Sequence, residues 1–339
     1  MRVLIAPDKF KGTATATEVA DAIASVLGSA GHETVTQPLA DGGDGTLEAF
    51  GGANRTSTVT GPLGDPIDAE WRYGSGRTAV IEMARASGLA AVGGAENNDA
   101  VAATTAGTGE LIVQAIERGA RHVIVGVGGS ATTDGGLGAL EAMHPLQRLR
   151  EIEIEVACDV TTRFVDAAAV FGPQKGATPA QVELLTRRLE RLAQVYRQER
   201  GVDVTGLDRA GAAGGLAGGL ASVGARLVDG FGLVAEAVGL DESIADVDLV
   251  ITGEGQLDAT SFDGKVVGGV LDLAREVGVP VIAVVGRVAA GLESSIPVVS
   301  LVDVAGEERA LASPVAAITD AAERILDVAE AATSPPAGL

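Results

Sequence analysis

The sequence predicts an α/β fold in which many of the strands pair in parallel. A short β-branched segment, a loop rich in glycine and aspartate, and an alanine-rich amphipathic segment follow one another repeatedly along the chain. Several β-branched segments are almost continuously apolar, as expected for strands covered on both faces. Aromatic residues make up only 3% of the 339 residues, so the core must be built from Ala, Val, Leu and Ile. Such a core suits helices packed closely on a parallel sheet.

The first strand, loop and helix show the repeated unit. Residues 3–6 form the strand, 7–12 form the loop, and a helix follows. Thr15 and Glu18 match a capping box at the start of that helix. Its apolar residues are spaced so that they fall on one helical face: Val19, Ala22, Ile23, Val26 and Leu27.

The later elements alternate in the same way. The further strand candidates, in chain order, are 33–39, 69–73, 78–83, 122–127, 151–158, 249–252, 281–285 and 298–302. The further helix candidates are 109–118, 179–200, 216–223 and 265–277. The strands 69–73 and 78–83 are predicted to pair antiparallel. In 151–158 the apolar residues alternate with Glu153 and Glu155, which predicts one face in contact with water.

Two domains are expected at this chain length. Turn residues cluster at 61–64, and a second break is predicted at Gly239. One domain is therefore assigned to 1–65 together with 240–333, and the other to 66–239. The tail 334–339, rich in proline and glycine, is expected to be disordered.

The charge and the cysteine content exclude several classes of protein. The chain has 25 basic and 46 acidic residues, a formal charge of −21, which argues against nucleic acid and against anionic membrane surfaces as partners. No apolar segment approaches the ~20 residues needed to span a bilayer, and the apolar part of the N-terminus is too short for a signal peptide. The single cysteine, Cys158, fits a reducing compartment. A cytoplasmic location is expected.

Five loops follow strand candidates, where ligands bind in open α/β sheets. The loop 6–13 leads into a helix N-terminus, where free N–H groups attract anions, and Lys11 adds a positive charge; a capped turn with exposed lysines explains it equally well. In 39–46, two carboxylates, Asp41 and Asp44, lie among glycines. They suit a metal or acid–base chemistry, but Asp-Gly is also common in ordinary turns, and the loop alone favours that interpretation.

The loop 126–136 follows the strand 122–127 and has the relaxed GxGxx(G/A) spacing, a weak signal by itself. Its glycines allow backbone N–H groups to approach a phosphate, and Asp134 can reach a substrate hydroxyl. A purely structural role is the alternative, but so many residues suited to unusual backbone conformations favour a functional loop.

Two further loops carry charged side chains. The loop 171–177 contains Lys175. The loop 251–258 offers Glu254 and Asp258 to a metal or nucleotide, with Lys265 close behind for a phosphate. All four lysines of the chain fall in or beside these loops, which favours phosphate binding over the alternatives of chance and ordinary surface loops.

Several common catalytic patterns are missing. The residue six positions before Lys265 is Ala259, so there is no Walker A loop. The three histidines have no metal-binding spacing, and no GxSxG motif is present. Cys158 ends an apolar strand and is expected to pack as a small hydrophobic residue.

Seven motifs together resemble the bacterial glycerate kinases of type I. They occur in the family's order and cover nearly the whole chain: APDKFKGT, LADGGDGT, GVGGSATTDGG, EVACDV, FGPQKGAT, AGAAGGL and ITGEGQLD followed by GK. The resemblance implies a flavodoxin-like parallel-sheet domain plus a second α/β domain with a mixed sheet. It also implies transfer of the γ-phosphoryl group of ATP to D-glycerate with Mg²⁺, with 2-phosphoglycerate as the favoured product, and it allows a homodimer.

The resemblance also implies a set of site residues. The residues carried over onto this chain are Asp8, Lys11, Asp41, Gly42, Gly43, Asp134, Asp159, Lys175, Glu254, Asp258 and Lys265. Lys9 stands where the family usually has serine, Asp44 where it usually has glutamate, and Thr133 where it usually has asparagine. The largest departure is at 141–150, where the family carries roughly a strand, a glycine-rich loop and a helix that this chain lacks.

These residues lead to a hypothesis of mechanism. The glycine-rich loop, with Gly128, Gly129 and Ser130, and the lysine loops are expected to hold the phosphates and the glycerate carboxylate. The general base is predicted to be Asp134, with Asp41 as the next candidate, and Glu254 and Asp258 are predicted to hold Mg²⁺. Two other functions stay open: a non-catalytic protein that binds a small acid or nucleotide, because of the shortened segment, and a metal-dependent phosphatase.

Overall fold

The computed structural model describes residues 1–333, and the predicted disordered tail 334–339 lies outside the described residues. The chain divides into two compact units. Unit 1 contains residues 1–41 and the chain from Phe231 onward, and unit 2 contains residues 42–230. Each unit has its own sheet and its own hydrophobic core.

Thirteen strands lie within residues 1–333. They are β1 (Arg2–Ile5), β2 (Glu33–Thr36), β3 (Arg55–Thr60), β4 (Pro66–Tyr73), β5 (Thr78–Glu82), β6 (His122–Gly126), β7 (Glu153–Cys158), β8 (Arg226–Asp229), β9 (Leu249–Thr252), β10 (Gln256–Leu257), β11 (Val281–Val285), β12 (Arg287–Val288) and β13 (Val298–Ser300).

The same residues contain fifteen α-helices. They are α1 (Ala16–Ser29), α2 (Thr46–Ala49), α3 (Ala84–Ser87), α4 (Ala106–Glu117), α5 (Leu137–Ala142), α6 (Ala167–Phe171), α7 (Pro179–Arg200), α8 (Leu216–Ala221), α9 (Gly230–Val238), α10 (Leu240–Ala245), α11 (Val266–Val277), α12 (Leu301–Ala305), α13 (Glu307–Ala312), α14 (Pro314–Asp320) and α15 (Ala322–Thr333). None of the described helices is long and apolar enough to cross a membrane.

Unit 1 contains a five-stranded, fully parallel sheet in the order β13-β11-β9-β1-β2. Numbered by their own order along the chain, these strands run 2-1-3-4-5 from the β2 edge, which is the flavodoxin order. Ile282 and Val284 pack into a cluster with α1, α14 and α15, whereas Ala283 and Val285 face Val267 of α11. The sheet is thus covered on both faces, which confirms the predicted flavodoxin-like domain.

Unit 2 contains a six-stranded mixed sheet in the order β3-β4-β5-β6-β7-β8. The pairs β3–β4 and β4–β5 are antiparallel, and the strands from β5 to β8 are parallel. The predicted mixed sheet is therefore confirmed, including the antiparallel pairing of the strands predicted at 69–73 and 78–83. Trp71 of β4 is fully buried, and its indole Nε1 donates to Oγ of Ser57 on β3 at 3.0 Å.

The units divide the chain at 41/42 and 230/231, whereas the sequence placed the domain boundaries at 65/66 and 239/240. The difference arises because β3 is hydrogen-bonded to β4 along its full length and so belongs to the mixed sheet. Polar residues dominate β3, with only Ser57 and Val59 buried, so the periodicity that marks a core strand is weak there.

The predicted wet face of β7 is wrong at one of its two glutamates. Glu153 is exposed, but Glu155 is buried and its Oε2 lies 2.8 Å from His122 Nε2. Arg226 Nη1 also lies 3.4 Å from Glu155. His122 on β6 and Arg226 on β8 therefore stabilise the buried carboxylate of Glu155.

Candidate active site

Three acidic side chains of unit 1 lie at the carboxyl ends of three neighbouring strands. Asp8 follows β1, Asp41 follows β2, and Glu254 follows β9. The chain leaves β1 toward β2 on one side and returns to β9 on the other. This reversal of strand order is where open α/β sheets bind ligands.

Asp8 is tied to its neighbours by short hydrogen bonds. Its N–H donates to Gly253 O at 2.8 Å, and its Oδ1 accepts from the Lys9 N–H at 2.7 Å. Lys9 Nζ lies 3.4 Å from Asp8 Oδ1 and 3.9 Å from Asp41 Oδ1. Burial raises the pKa of Asp8 to about 6; the charge of Lys9 opposes the shift, and the charge of Asp41 adds to it. The lysine at the family's serine position thus holds two of the predicted carboxylates together.

Glu254 is the second carboxylate with a raised pKa. Burial raises the pKa of Glu254 to about 7, a hydrogen bond from Ser261 opposes the shift, and the charge of Asp8 adds to it. Its Oε1 is buried and has no hydrogen-bond partner within residues 1–333. A buried acceptor without a donor is costly in a folded protein, so this oxygen is suited to a proton or a cation.

Asp258 differs from Glu254, although the sequence placed the two together as metal ligands. It caps a short 3₁₀ helix, and its Oδ1 accepts from Thr260 N at 2.8 Å and Thr260 Oγ1 at 2.7 Å. These hydrogen bonds lower the pKa of Asp258. The described residues contain no cluster of three or more His, Cys, Asp or Glu side chains arranged for a metal.

The lysines of unit 1 occupy the two loops beside these acids. Lys11 is exposed in the turn between β1 and α1, and Gly255 packs on it closely enough that a Cβ there would lie 3.3 Å from Lys11 N. Lys265 is half-buried and lies directly before α11, at its N-cap position. Both positive charges therefore belong to loops at the carboxyl edge of the sheet, as predicted.

The glycine-rich loop of unit 2 connects β6 to α5. A Cβ on Gly128 would lie 2.9 Å from the Cα of Gly43, and one on Gly42 would lie 2.7 Å from the Cα of Gly230. Gly128, from the loop predicted to approach a phosphate, and Gly42, a carried-over site residue, thus both allow close contact between two backbone segments. Gly129 has a φ of +59°, and Ser130 is almost fully buried in a bridge to Gly88.

Asp134 is held by four donors. Its Oδ2 accepts from Thr105 N at 2.9 Å, Thr105 Oγ1 at 2.8 Å and Gly138 N at 3.2 Å, and its Oδ1 accepts from Gly136 N at 3.0 Å. The carboxylate therefore fixes the loop against the starts of α4 and α5.

Lys175 lies inside unit 2 rather than on its surface. It is 2% exposed, and Nζ donates to Thr132 O at 2.6 Å. Burial lowers the pKa of Lys175 to about 7, and the charge of Asp134 opposes the shift. The predicted phosphate ligand thus holds the backbone of the glycine-rich loop. Asp159, by contrast, is exposed directly after β7.

The family model described as "Glycerate kinase family" matches residues 3–146 and 143–331. This chain belongs to the glycerate kinase family. "Glycerate 2-kinase" of Escherichia coli K12 is 42% identical over 325 residues, with 84% of this chain and 85% of that protein covered. "Glycerate kinase" of Bacillus subtilis 168 is 39% identical over 329 residues, with 85% of each covered. A crystal structure of "putative glycerate kinase 2" from Salmonella typhimurium LT2 has a TM-score of 0.80 and 37% identity, and covers 96% of this chain and 98% of that chain.

The two matched pieces of the family model meet at residues 143–146, inside the segment that the sequence identified as shortened. In this member of the glycerate kinase family the segment forms the end of α5, a cis His144–Pro145 bond and a 3₁₀ turn at Leu146–Leu149. Strand β7 then pairs with β6 in parallel from His122 with Glu153 onward. The parallel pairing of β6 with β7 is therefore continuous on either side of the segment 141–150.

The sequence analysis did not identify two residues that hold the predicted loops in place. Thr105 precedes α4, yet its hydroxyl donates to Asp134 instead of capping the helix. Asn98 Nδ2 donates to Ala131 O at 3.0 Å and to Lys175 O at 2.8 Å, and so links two predicted loops. A threonine before a helix is a sequence signal for a cap, but nothing local indicates these long-range partners.

Proposed function

We propose that this chain transfers the γ-phosphoryl group of ATP to a hydroxyl of D-glycerate. The observation that carries the proposal is the position of the family's motif residues Asp8, Asp41 and Glu254, at the carboxyl ends of three adjacent parallel strands. Family membership across residues 3–331 supports the same reaction.

Phosphoryl transfer needs mainly positioning, charge neutralisation and a group that accepts the proton of the attacking hydroxyl. We assign the last role to Asp8. Its pKa of about 6 leaves it ionised at neutral pH yet still basic enough to take a proton. Asp134, the first candidate from the sequence, already accepts four hydrogen bonds, so its proposed role is to position the glycine-rich loop.

The residues of unit 1 fit a magnesium ion. Mg²⁺ prefers oxygen ligands and is usually held by one or two carboxylates together with substrate phosphates, and Glu254 offers a buried oxygen without a partner among the described residues. When bound, the ion would neutralise charge on the phosphate oxygens. Lys11 and Lys265 would add positive charge from the neighbouring loops, and Asp258 would order the turn that leads to Lys265.

A coupled assay tests the reaction. Purified protein with D-glycerate, ATP and Mg²⁺ is expected to release ADP only when glycerate is present, and L-glycerate serves as the control acceptor. ATP binding without ADP release would favour a non-catalytic homologue. Phosphate release without a glycerate requirement would favour a phosphatase.

The finer assignments need their own measurements. We propose 2-phosphoglycerate as the product, which ³¹P NMR of the reaction mixture distinguishes from 3-phosphoglycerate. A homodimer and a cytoplasmic location remain predictions from the sequence. Size-exclusion chromatography with light scattering tests the first, and cell fractionation tests the second.

A further inference from the structure

Helix α7 borders a cavity of about 480 Å³ that lies entirely within unit 2. One face of α7, with Leu185, Leu189, Ala193 and Tyr196, packs into the core. The adjacent face helps to line the cavity, whose apolar wall consists of Val101, Leu137, Leu184, Leu189, Leu192 and Val195. Leu137, which belongs to this wall, is 41% exposed. A concave apolar site of this volume is within the range of small-molecule pockets.

Three arginines of α7 also line the cavity: Arg187, Arg188 and Arg191. All three are exposed. Arg188 Nη1 donates to Val101 O at 2.9 Å, and Arg191 Nη1 lies 3.4 Å from Gln194 Oε1. None of the three forms a salt bridge with a carboxylate in residues 1–333, although the chain carries a formal charge of −21. On the last turn of the same helix, Arg197 does so, with Asp203 at 3.3 Å.

The remaining wall comes from Thr133 and Asp134 of the glycine-rich loop. The carboxylate of Asp134 keeps its negative charge and is held in place by four N–H and O–H donors. The lining therefore carries three guanidinium groups against one carboxylate, so positive charge is in excess around the cavity.

We propose that this cavity binds a small amphipathic anion, an apolar chain or ring that carries one carboxylate or phosphate group. The apolar part would fill the space against the leucines and valines, and the anionic group would lie among the guanidinium groups, which bind carboxylate and phosphate oxygens well. D-glycerate has three carbons with a polar group on each, so it has no apolar part that could pack against this wall. The proposal rests on unit 2 alone and does not depend on the proposed kinase activity.

Occupation of the cavity also has a consequence for the loop. The ligand would contact Thr133 and Asp134 directly, and Asp134 fixes the start of α5 and the residues before α4. A molecule bound here would therefore touch the residues that hold the glycine-rich loop in place.

Calorimetric titration of the full-length protein with octanoate and with octyl phosphate tests the proposal. At least one of the two is expected to bind saturably at one molecule per chain, and comparison of the two identifies the preferred anionic group. Octanol, the neutral analogue, is expected to bind at least tenfold more weakly. The double variant R187Q/R191Q is expected to weaken binding of the anion at least tenfold. R197Q, which removes a charge from the same helix outside the cavity, is expected to change it less than twofold.

Four outcomes would overturn the proposal. They are the absence of saturable binding of both anions, equal affinity for octanol, an equal loss of affinity in R197Q, and competitive displacement by ATP with a matching rise in the KM for ATP in R187Q/R191Q. The last would assign the cavity to the nucleotide. Circular dichroism of each variant verifies the fold, and exposed arginine-to-glutamine changes leave the core untouched.

Discussion

The acidic residues of the candidate site separate into groups with different chemistry. Asp8 and Glu254 are partly buried and have few hydrogen-bond donors, and their partial burial raises their pKa values to about 6 and about 7. Asp134 is saturated with donors, and hydrogen bonds lower the pKa of Asp258. Carboxylates whose surroundings push their pKa values apart take different roles in proton transfer. We therefore propose Asp8 as the base and Asp134 as a positioning residue.

Asp8→Asn is expected to lower kcat by about 10²–10⁴-fold, the usual contribution of a general base. In the unmodified protein, kcat/KM should fall about tenfold per pH unit below about 6, because protonated Asp8 cannot accept a proton. The measurement is a pH–rate profile at saturating Mg²⁺.

Asp134→Asn is the matched comparison. The amide N–H group of the new asparagine would face the N–H donors of Gly136 or Gly138, so the substitution should cost about 1–3 kcal/mol of stability. The pH–rate profile of this variant should keep its acidic limb near pH 6. An Asp134→Asn protein of normal stability that has lost both activity and this limb would return the role of base to Asp134.

Lys175 is expected to make the stability of unit 2 depend on pH. Its pKa is about 7 when folded and near its ordinary value of 10.5 when unfolded, so between these values only the unfolded state binds the proton. Stability should therefore rise with pH by about 1 kcal/mol per pH unit relative to Lys175→Met, and fall as the pH drops toward 7. Urea denaturation at several pH values measures the difference. Parallel curves for the two proteins would contradict a buried lysine.

At the scale of elements, the position of the glycine-rich loop depends on backbone segments that pack directly against one another. A Cβ on Gly214, just before α8, would lie 2.0 Å from Thr132 O, the same oxygen that accepts from Lys175. The long helix α7 is fixed at its start by a capping box between Thr178 and Gln181. Gly214 and Lys175 thus both pack against the carbonyl group of Thr132 and hold the glycine-rich loop in position.

Gly214→Ala is expected to be much more destabilising than Gly201→Ala. Both glycines have positive φ, +68° and +73°, but a Cβ on Gly201 would meet nothing within 4 Å in the part of the chain that is described. The conformation alone should cost about 1–2 kcal/mol in both variants. The clash with Thr132 O should add at least about 2 kcal/mol in Gly214→Ala. Chemical denaturation measures both, and equal losses would show that the loop tolerates displacement.

At the scale of the whole molecule, the charge of −21 opposes the binding of two anionic substrates. The four lysines do not act alike against this field. Lys11 and Lys265 lie in loops beside the acids of unit 1, Lys9 is engaged by Asp8 and Asp41, and Lys175 is buried. Local positive charge for the phosphates is therefore expected mainly from Lys11 and Lys265.

Lys11→Gln is expected to lower kcat/KM for ATP about 3–10-fold at low ionic strength and to make it rise more steeply with added salt. The reason is that salt screens the repulsion of the remaining negative field, with a Debye length of about 10 Å at 0.1 M. Arg55→Gln removes the same charge from an exposed strand of unit 2 and should leave kcat/KM unchanged. An equal effect of the two substitutions would mean that only net charge matters.

The sequence by itself determined the α/β class, the strands that the motif loops follow in each sheet, and the loops in which the motif residues lie. These follow from hydrophobic periodicity, capping and turn chemistry, which act over a few residues. It also indicated the family and predicted a shortened segment at 141–150, where the two matched pieces of the family model meet.

The tertiary structure decided what each side chain can do. The partners of Asp134 are up to 29 positions away, and Asn98 meets Lys175 across 77 positions. Burial and donors supplied over such distances made Lys175 a core residue, saturated Asp134, left Glu254 Oε1 without a partner among the described residues, and assigned β3 to the mixed sheet. Proton affinity and exposure depend on what surrounds a group in space, and residue spacing along the chain does not contain that information.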